Sequence, residues 1–319
     1  MLSLHYKRER RRPDAVTRQR WNPLYFQRDC RNAYGVERIE PKTCLEVIPM
    51  RLLIMTDMEG VSGIVVWSQV SGGKPMYEEG RRLYTEEINA AVRGARAAGA
   101  TEIVVVDCHG AGSDWSNNSL IPELLDPNCE WVAHHTWSRY TEILETGCDA
   151  ALMVGMHARA GTPDGVMCHT ISTTTWQNLY FNNDLVGETG INAALCGVYG
   201  CPVVLVTGDT AVCREATGLL GDNLTTVAVK HGLSRYSARQ IPPVRARQLI
   251  ETGAQTALQD ITAVKPYVPE APTTITIELS TVDKADEFRG RYGVEITEPL
   301  KVVSRGKTWI QAWNQIWHY

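Results

Sequence analysis

A chain of 319 residues has room for one large domain or two modest ones with an ample core. Its 44% hydrophobic and 21% charged residues are ordinary for a soluble protein. A formal net charge of -4 offers no basic field for nucleic acid. No segment has the roughly 18 uninterrupted apolar residues that a membrane helix needs, and the N-terminus lacks the apolar stretch of a signal peptide.

Residues 1–49 hold 11 of the 32 basic and 6 of the 36 acidic residues, leaving 21 and 30 for the remainder, so a +5 tail precedes a −9 body. The tail has neither helical nor strand periodicity, and disorder or loose attachment is expected. An appended segment, such as an over-extended translation start, is the preferred reading, with a targeting or docking arm as the alternative. Glu9, Asp14 and Asp29 run against a transit peptide. The nine cysteines form no CxxC, and Cys108, Cys148, Cys196 and Cys201 lie in or beside apolar runs. That usage points to reduced, buried thiols in a cytoplasmic protein.

Patterned sequence begins near Met50. In "RLLIMTDMEG" an apolar run ends in Asp57 and Glu59, one residue apart. Strand side chains two apart share a face, so both acids leave the strand end together. Crowded carboxylates resist ionising unless a cation sits between them or they share a proton; a solvated strand end is the plain alternative. After the Gly-rich loop "GVSGIVVWSQVSGGKP", residues 78–98 predict a helix, with Leu83, Ile88, Ala91, Val92 and Ala95 at helical spacing and Gly99 as the cap. "TEIVVVDCHG" predicts a second strand, 119–146 a looser helical region, and "DAALMVGMHARAG" a third strand. A hairpin turning at Asn182-Asn183-Asp184, a helix in "GETGINAALCGVYG", a fourth strand in "CPVVLVTGD" and a helix over 242–259 follow. Beyond the Pro-rich 265–272, "TTITIEL" and "EPLKVVSR" alternate at period two. The expected architecture is α/β: a mainly parallel sheet covered by helices on both faces, with a smaller β-containing C-terminal portion. The expected division is a tail over 1–49, a catalytic domain over 50–264 and the C-terminal portion over 265–319.

Three predicted parallel strands thus carry Asp57/Glu59, Asp107/His109 and His157 to their carboxyl ends, where open α/β sheets bind ligands. Singly, each residue reads as an ordinary polar strand end; together they suit zinc or, secondarily, manganese. Glu188 opens a predicted helix, where the dipole favours an acid. His169 lies twelve residues after His157, within reach of the same pocket. There is no GxSxG elbow, GxGxxG or Walker loop.

The blocks "TDMEGVSG", "VVDCHG", "VGMHARAGTPDGVMCHT", "NDLVGETGINA" and "PVVLVTGD", in this order, resemble the DppA-type zinc-dependent D-aminopeptidase family. The likeness runs from about Met50 into the helix after "TTVAVKHGLSR", is looser over the last fifty or so residues and is absent from 1–49. The resemblance implies two zinc ions per subunit on Asp57, Glu59, His109, His157 and Glu188, with His169 as the catalytic histidine. It also implies a ring-like homo-oligomer, a decamer with active sites facing an inner chamber. One departure is "TPDGVM", one residue longer than the family's "TPGVM", which sets Asp164 to alter the pocket entrance.

The function this implies is removal of the N-terminal residue, expected to be a D-amino acid, from short peptides. Asp57 would bridge two metals about 3.5–4 Å apart, and a metal-bridging hydroxide would attack the scissile carbonyl. His169 would stabilise the oxyanion or protonate the leaving amine. Asp107 is expected either to orient His109 from behind or to be a simple strand-end acid. Lys230 and Asn182 read as surface residues or as holders of the substrate carboxyl or oxyanion. Two rivals stand beside this reading. One is a haloacid-dehalogenase-like magnesium phosphatase, with Asp57 as nucleophile, Glu59 as acid, and Lys230 with Asp209 serving the metal. The other is a non-catalytic zinc-binding assembly protein.

Overall fold

The structure is a computed structural model that describes residues 50–134 and 139–317; the expected disorder of the 1–49 tail lies outside the described residues. Strand β1 (Met50–Thr56) leads to helix α1 (Tyr77–Ala97) and strand β2 (Ala100–Asp107). Strand β3 (Glu130–Val132), helix α2 (Glu142–Thr146) and strand β4 (Ala150–Met156) come next. The hairpin β5 (Trp176–Phe181) and β6 (Asp184–Val186) precedes α3 (Glu188–Val198), β7 (Val203–Asp209) and α4 (Thr210–Leu220). Strands β8 (Thr225–Ser234) and β9 (Ser237–Gln240) and helix α5 (Pro243–Ala257) complete the larger layer. The chain ends in β10 (Thr273–Leu279), α6 (Val282–Asp286), β11 (Val294–Glu298), β12 (Lys301–Gly306) and α7 (Trp309–Ile316).

Seven strands form one sheet in the order β3-β2-β1-β4-β7-β8-β9. All neighbours are parallel except the β8–β9 hairpin. The side chains of β1 alternate between two cores, as period two dictates. Leu52 and Ile54 pack with α1 and α5, while Leu53 and Met55 pack with α3 and the second sheet. That second sheet is antiparallel, in the order β11-β12-β10-β5-β6, so the 176–186 hairpin pairs with the C-terminal strands through β10. No described helix is long and apolar enough to cross a membrane.

One expectation fails. Residues 119–146 are not a continuous helical region: β3 interrupts them, and among the described residues of this range only α2 is α-helical. Pro127 removes a helical donor, and Asp126 turns the chain by accepting from the Asn128 and Cys129 backbone N–H groups. Strand β8 and helix α4 lie between the predicted fourth strand and the 242–259 helix. β7 runs into α4 without a loop because Asp209 ends the strand and caps the helix, its Oδ1 accepting from Ala211 N and Val212 N at 2.9 and 2.8 Å.

The strand order places the topological switch at β1, whose neighbours β2 and β4 lie on opposite sides. Two glycines lock the exits of β1 and β4 together. Gly60 N donates to Gly155 O at 2.8 Å, and a Cβ at Gly60 would lie 1.9 Å from Met156 O. Gly155 has φ +75°, and a Cβ there would lie 2.0 Å from Asp57 O. Gly155→Ala therefore combines a left-handed backbone with a backbone clash. It should cost about 3 kcal/mol or more, read as a lower urea midpoint with an unchanged slope.

Candidate metal centre

Asp57 and Glu59 leave β1, His109 follows β2, His157 follows β4, and Glu188 opens α3. The structure brings all five together, with His169 beside them. His109 Nδ1 is 3.0 Å from Asp57 Oδ1 and 3.1 Å from Glu59 Oε2. On the other side, His157 Nε2 is 3.3 Å from Asp57 Oδ2 and 3.4 Å from Glu188 Oε1. His169 Nε2 is 3.7 Å from the same Glu188 oxygen, and its ring stacks on His157 with centroids 4.0 Å apart. Asp57, Glu59 and His109 thus form one potential ligand set, and His157, His169 and Glu188 another, with the two Asp57 oxygens turned one to each.

The hydrogens of the imidazoles follow from their outer neighbours. His109 Nε2 is 2.7 Å from Val70 O, His157 Nδ1 is 3.0 Å from Ala158 O, and His169 Nδ1 is 3.0 Å from Met167 O. A carbonyl only accepts, so each of these nitrogens carries the hydrogen, and a neutral ring turns its lone pair toward the carboxylates. Lone pairs facing carboxylates repel unless protons or cations lie between them. The buried Glu59 Oε2 and His157 Nε2 have no hydrogen-bond partner among the described residues. Buried oxygens and imidazole nitrogens with outward N–H groups tied to carbonyls are the donor set of a zinc site.

The protonation energetics agree. Burial works against charge on Asp57, yet His109 and His157 hold its carboxyl well below the usual range. Burial likewise opposes the charged forms of His109 and His157, but Glu59 and Asp57 raise the first, and Glu188 and Asp57 the second, well above the ordinary imidazole value. The cluster demands positive charge at its centre. Cys108 lines the same cavity, but burial, then Asp107 and Asp57, push its thiol well up and disfavour the thiolate a nucleophile needs. The cavity itself is about 380 Å³ and is also walled by Trp67, Val70, Ile171 and Trp317.

Other expectations need correction. Asp107 is fully buried but does not orient the His109 ring; it accepts from His109 backbone N at 2.9 Å, from Tyr84 Oη at 2.9 Å and from Ser119 N. Val70 O does the orienting, and nothing in the loop sequence marks it for that. Lys230 is neither surface residue nor substrate contact: at 0% exposure, its Nζ donates to the carbonyls of Glu59, Val61 and Ile64 at 2.5, 2.8 and 2.8 Å. Asn182 is tied into the hairpin turn, donating to Glu270 O and accepting from Thr274 N, away from the cavity lining. Asp164 does not line the metal cavity either, but meets Arg214 Nη2 at 2.8 Å. With Lys230 committed to the Glu59 loop and Asp209 to capping α4, the phosphatase arrangement loses its magnesium-serving pair.

Comparison with known proteins accords with this geometry. Residues 50–317 match the profile of the D-aminopeptidase peptidases. The chain belongs to the D-aminopeptidase family. Within it, the chain is 35% identical over 267 residues to the D-aminopeptidase of Bacillus subtilis (strain 168), covering 83% of this chain and 94% of that protein. Among solved structures, it is similar to the zinc-dependent D-aminopeptidase DppA from Bacillus subtilis, a self-compartmentalizing protease. The TM-score is 0.76 at 33% identity, over 84% of this chain and 95% of that one.

The loop after Glu59 is held from beneath by Glu87 as well, whose Oε1 accepts from Ser62 N at 2.9 Å. Burial raises the Glu87 pKa from 4.5 to about 7, against the Ser62 hydrogen bond and the Lys230 and Arg247 charges. Between those values the unfolded chain ionises while the folded chain keeps its proton, so stability falls as pH rises through this window. The difference corresponds to about 3 kcal/mol. Glu87→Gln, which keeps the acceptor, should flatten that fall in urea titrations between pH 4.5 and 7 and gain most above pH 7.

Proposed function

We propose that the chain is a zinc aminopeptidase that removes an N-terminal D-amino acid from short peptides, with two zinc ions per subunit. Asp57, Glu59 and His109 would hold one ion, and Asp57, His157 and Glu188 the other. The observation that carries this reading is the placement of the two Asp57 oxygens, 3.0 Å from the His109 lone-pair nitrogen and 3.3 Å from that of His157. A carboxylate aimed at two separate donor sets suits a two-metal hydrolase.

Zinc bound at such a site supplies Lewis acidity for the scissile carbonyl and a water of lowered pKa as nucleophile. The chain supplies orientation and proton handling. Val70 O and Ala158 O fix the tautomers and ring planes of His109 and His157. His169 is held at Nδ1 by Met167 O and braced edge-on by Trp67, ring centroids 5.7 Å apart. Its Nε2, a lone pair in the neutral ring, would take up the proton released as water attacks and, once protonated, stabilise the developing oxyanion or pass that proton to the leaving amine. A cytoplasmic location accords with the seven described cysteines, all free. A homo-oligomer, with a decamer as the specific form, is part of the same reading and is checked by light scattering.

Purified protein should contain two zinc ions per chain and release amino acid from D-alanyl peptides faster than from their L-alanyl counterparts. Glu59→Ala and His157→Ala should lose metal and activity together. His169→Ala should keep its zinc by elemental analysis while turnover falls at least about 100-fold. Normal turnover in that variant, or loss of metal from it, removes His169 from the catalytic role. A zinc-loaded protein inert on every D- and L-peptide overturns the peptidase reading.

A further inference from the structure

A second cavity shares His169 with the metal cavity as a lining residue. It holds about 380 Å³, and its lining includes Thr162, His169, Ser172, Thr173, Gln177 and Arg235. His169, Ser172 and Thr173 also line the metal cavity, so the two spaces adjoin across the histidine. No acidic residue lines this second cavity, and Arg235 is its one formally charged lining residue among the described residues. That is the opposite of the metal side, where three carboxylates converge.

Arg235 sits at the tip of the β8–β9 hairpin, and three contacts fix it there. Its guanidinium carbon lies 5.9 Å from the Trp67 ring centroid and 5.6 Å from that of Tyr236. Trp67 Nε1 donates to Tyr236 Oη at 3.1 Å, which clamps the two rings. Arg235 O accepts from Met167 N at 2.7 Å, so the hairpin tip is tied to the loop that carries His169. The guanidinium forms no ion pair with any described residue, and its buried Nε has no hydrogen-bond partner among them. Arginine offers five donors in a planar fork that matches a carboxylate. A stacked, unpaired fork in a cavity without acids is chemically suited to an anion.

We infer that Arg235 receives the free C-terminal carboxylate of the peptide, which makes the cavity beyond His169 the leaving-group subsite of a short-peptide enzyme. This rests on the aminopeptidase reading. The scissile carbonyl then lies at the metal cluster, the leaving nitrogen faces His169, and the leaving residue continues past His169 toward Arg235. The Trp67 ring centroid is 5.7 Å from that of His169 and 5.9 Å from the guanidinium carbon, and one residue advances the chain about 3.8 Å, so the leaving one or two residues of a short peptide match the scale of the step. Lys230, earlier on β8, is spent on backbone carbonyls and offers no second basic group.

The test compares D-alanylglycine and D-alanylglycylglycine with their C-terminal amides, using zinc-loaded enzyme. The wild type should favour at least one free acid over its amide by about 10- to 100-fold in kcat/KM, carried mainly by KM, the scale of a hydrogen bond to a charged group. Arg235→Gln should abolish that preference, lowering kcat/KM on the acids at least about tenfold more than on the amides while zinc content is kept, and Arg235→Lys should restore part of it. Equal rates on acids and amides in the wild type, or an acid preference that survives in Arg235→Gln, overturns the assignment while leaving the peptidase reading intact. If no peptide or amide is cleaved by the zinc-loaded wild type, the peptidase reading itself fails and this assignment with it.

Discussion

The Asp57 carboxylate is almost wholly buried, between two imidazole lone pairs whose other neighbours are the carboxylates of Glu59 and Glu188. Unit charges about 4 Å apart interact by about 4 kcal/mol at the effective dielectric near a protein surface, and a buried cluster is screened less. Such a centre is stable only with positive charge inside it. The surrounding structure then reads as a means of keeping negative groups close together until a cation arrives. Backbone contact between Gly60 and Gly155 fixes the two strand exits, and carbonyls behind the histidines hold the rings.

Lys230 belongs to the same scheme from the other side of the loop. A buried ammonium is costly unless its donors are satisfied, and here three carbonyls of residues 59–64 satisfy it. Burial still pushes its pKa down to about 8, with Asp209, Glu87 and Glu59 opposing. The loop that follows Glu59 is wrapped around an internal cation, so its path depends little on whether metal is bound. Rigid support of this kind lets a metal site exist before the metal does.

Much of this was legible in the sequence because the relevant signals are local. Asp57/Glu59 and Asp107/His109 stand at or just past the ends of apolar runs, which is enough to bring them to one rim of the sheet, although β1 stops at Thr56 and Asp107 turns to Tyr84 and Ser119 instead of joining His109. What escaped has no local signature. Val70 orients His109 through its carbonyl, which any residue possesses. Lys230 looked solvated because lysines usually are, and only the three-dimensional path of residues 59–64 gives it acceptors. Residues 119–146 looked helical by composition, yet Pro127 and the Asp126 turn outweigh that propensity. The 176–186 hairpin was readable as a hairpin, but its partnership with β10 spans almost a hundred residues and leaves no periodic trace. Arg235 and Trp67 meet only through tertiary packing.

The aromatic column at the C-terminal end has an optical consequence. Trp309 and Trp313 stack with centroids 5.6 Å apart and planes 9° from parallel, and Trp313 and Trp317 follow at 5.9 Å and 19°. Indoles so close and so nearly coplanar share their excited states, producing a coupled signal in the near-ultraviolet circular dichroism. Trp317 is the member that reaches the metal cavity wall, so light absorbed by the column carries information about whatever occupies that cavity, without any added label.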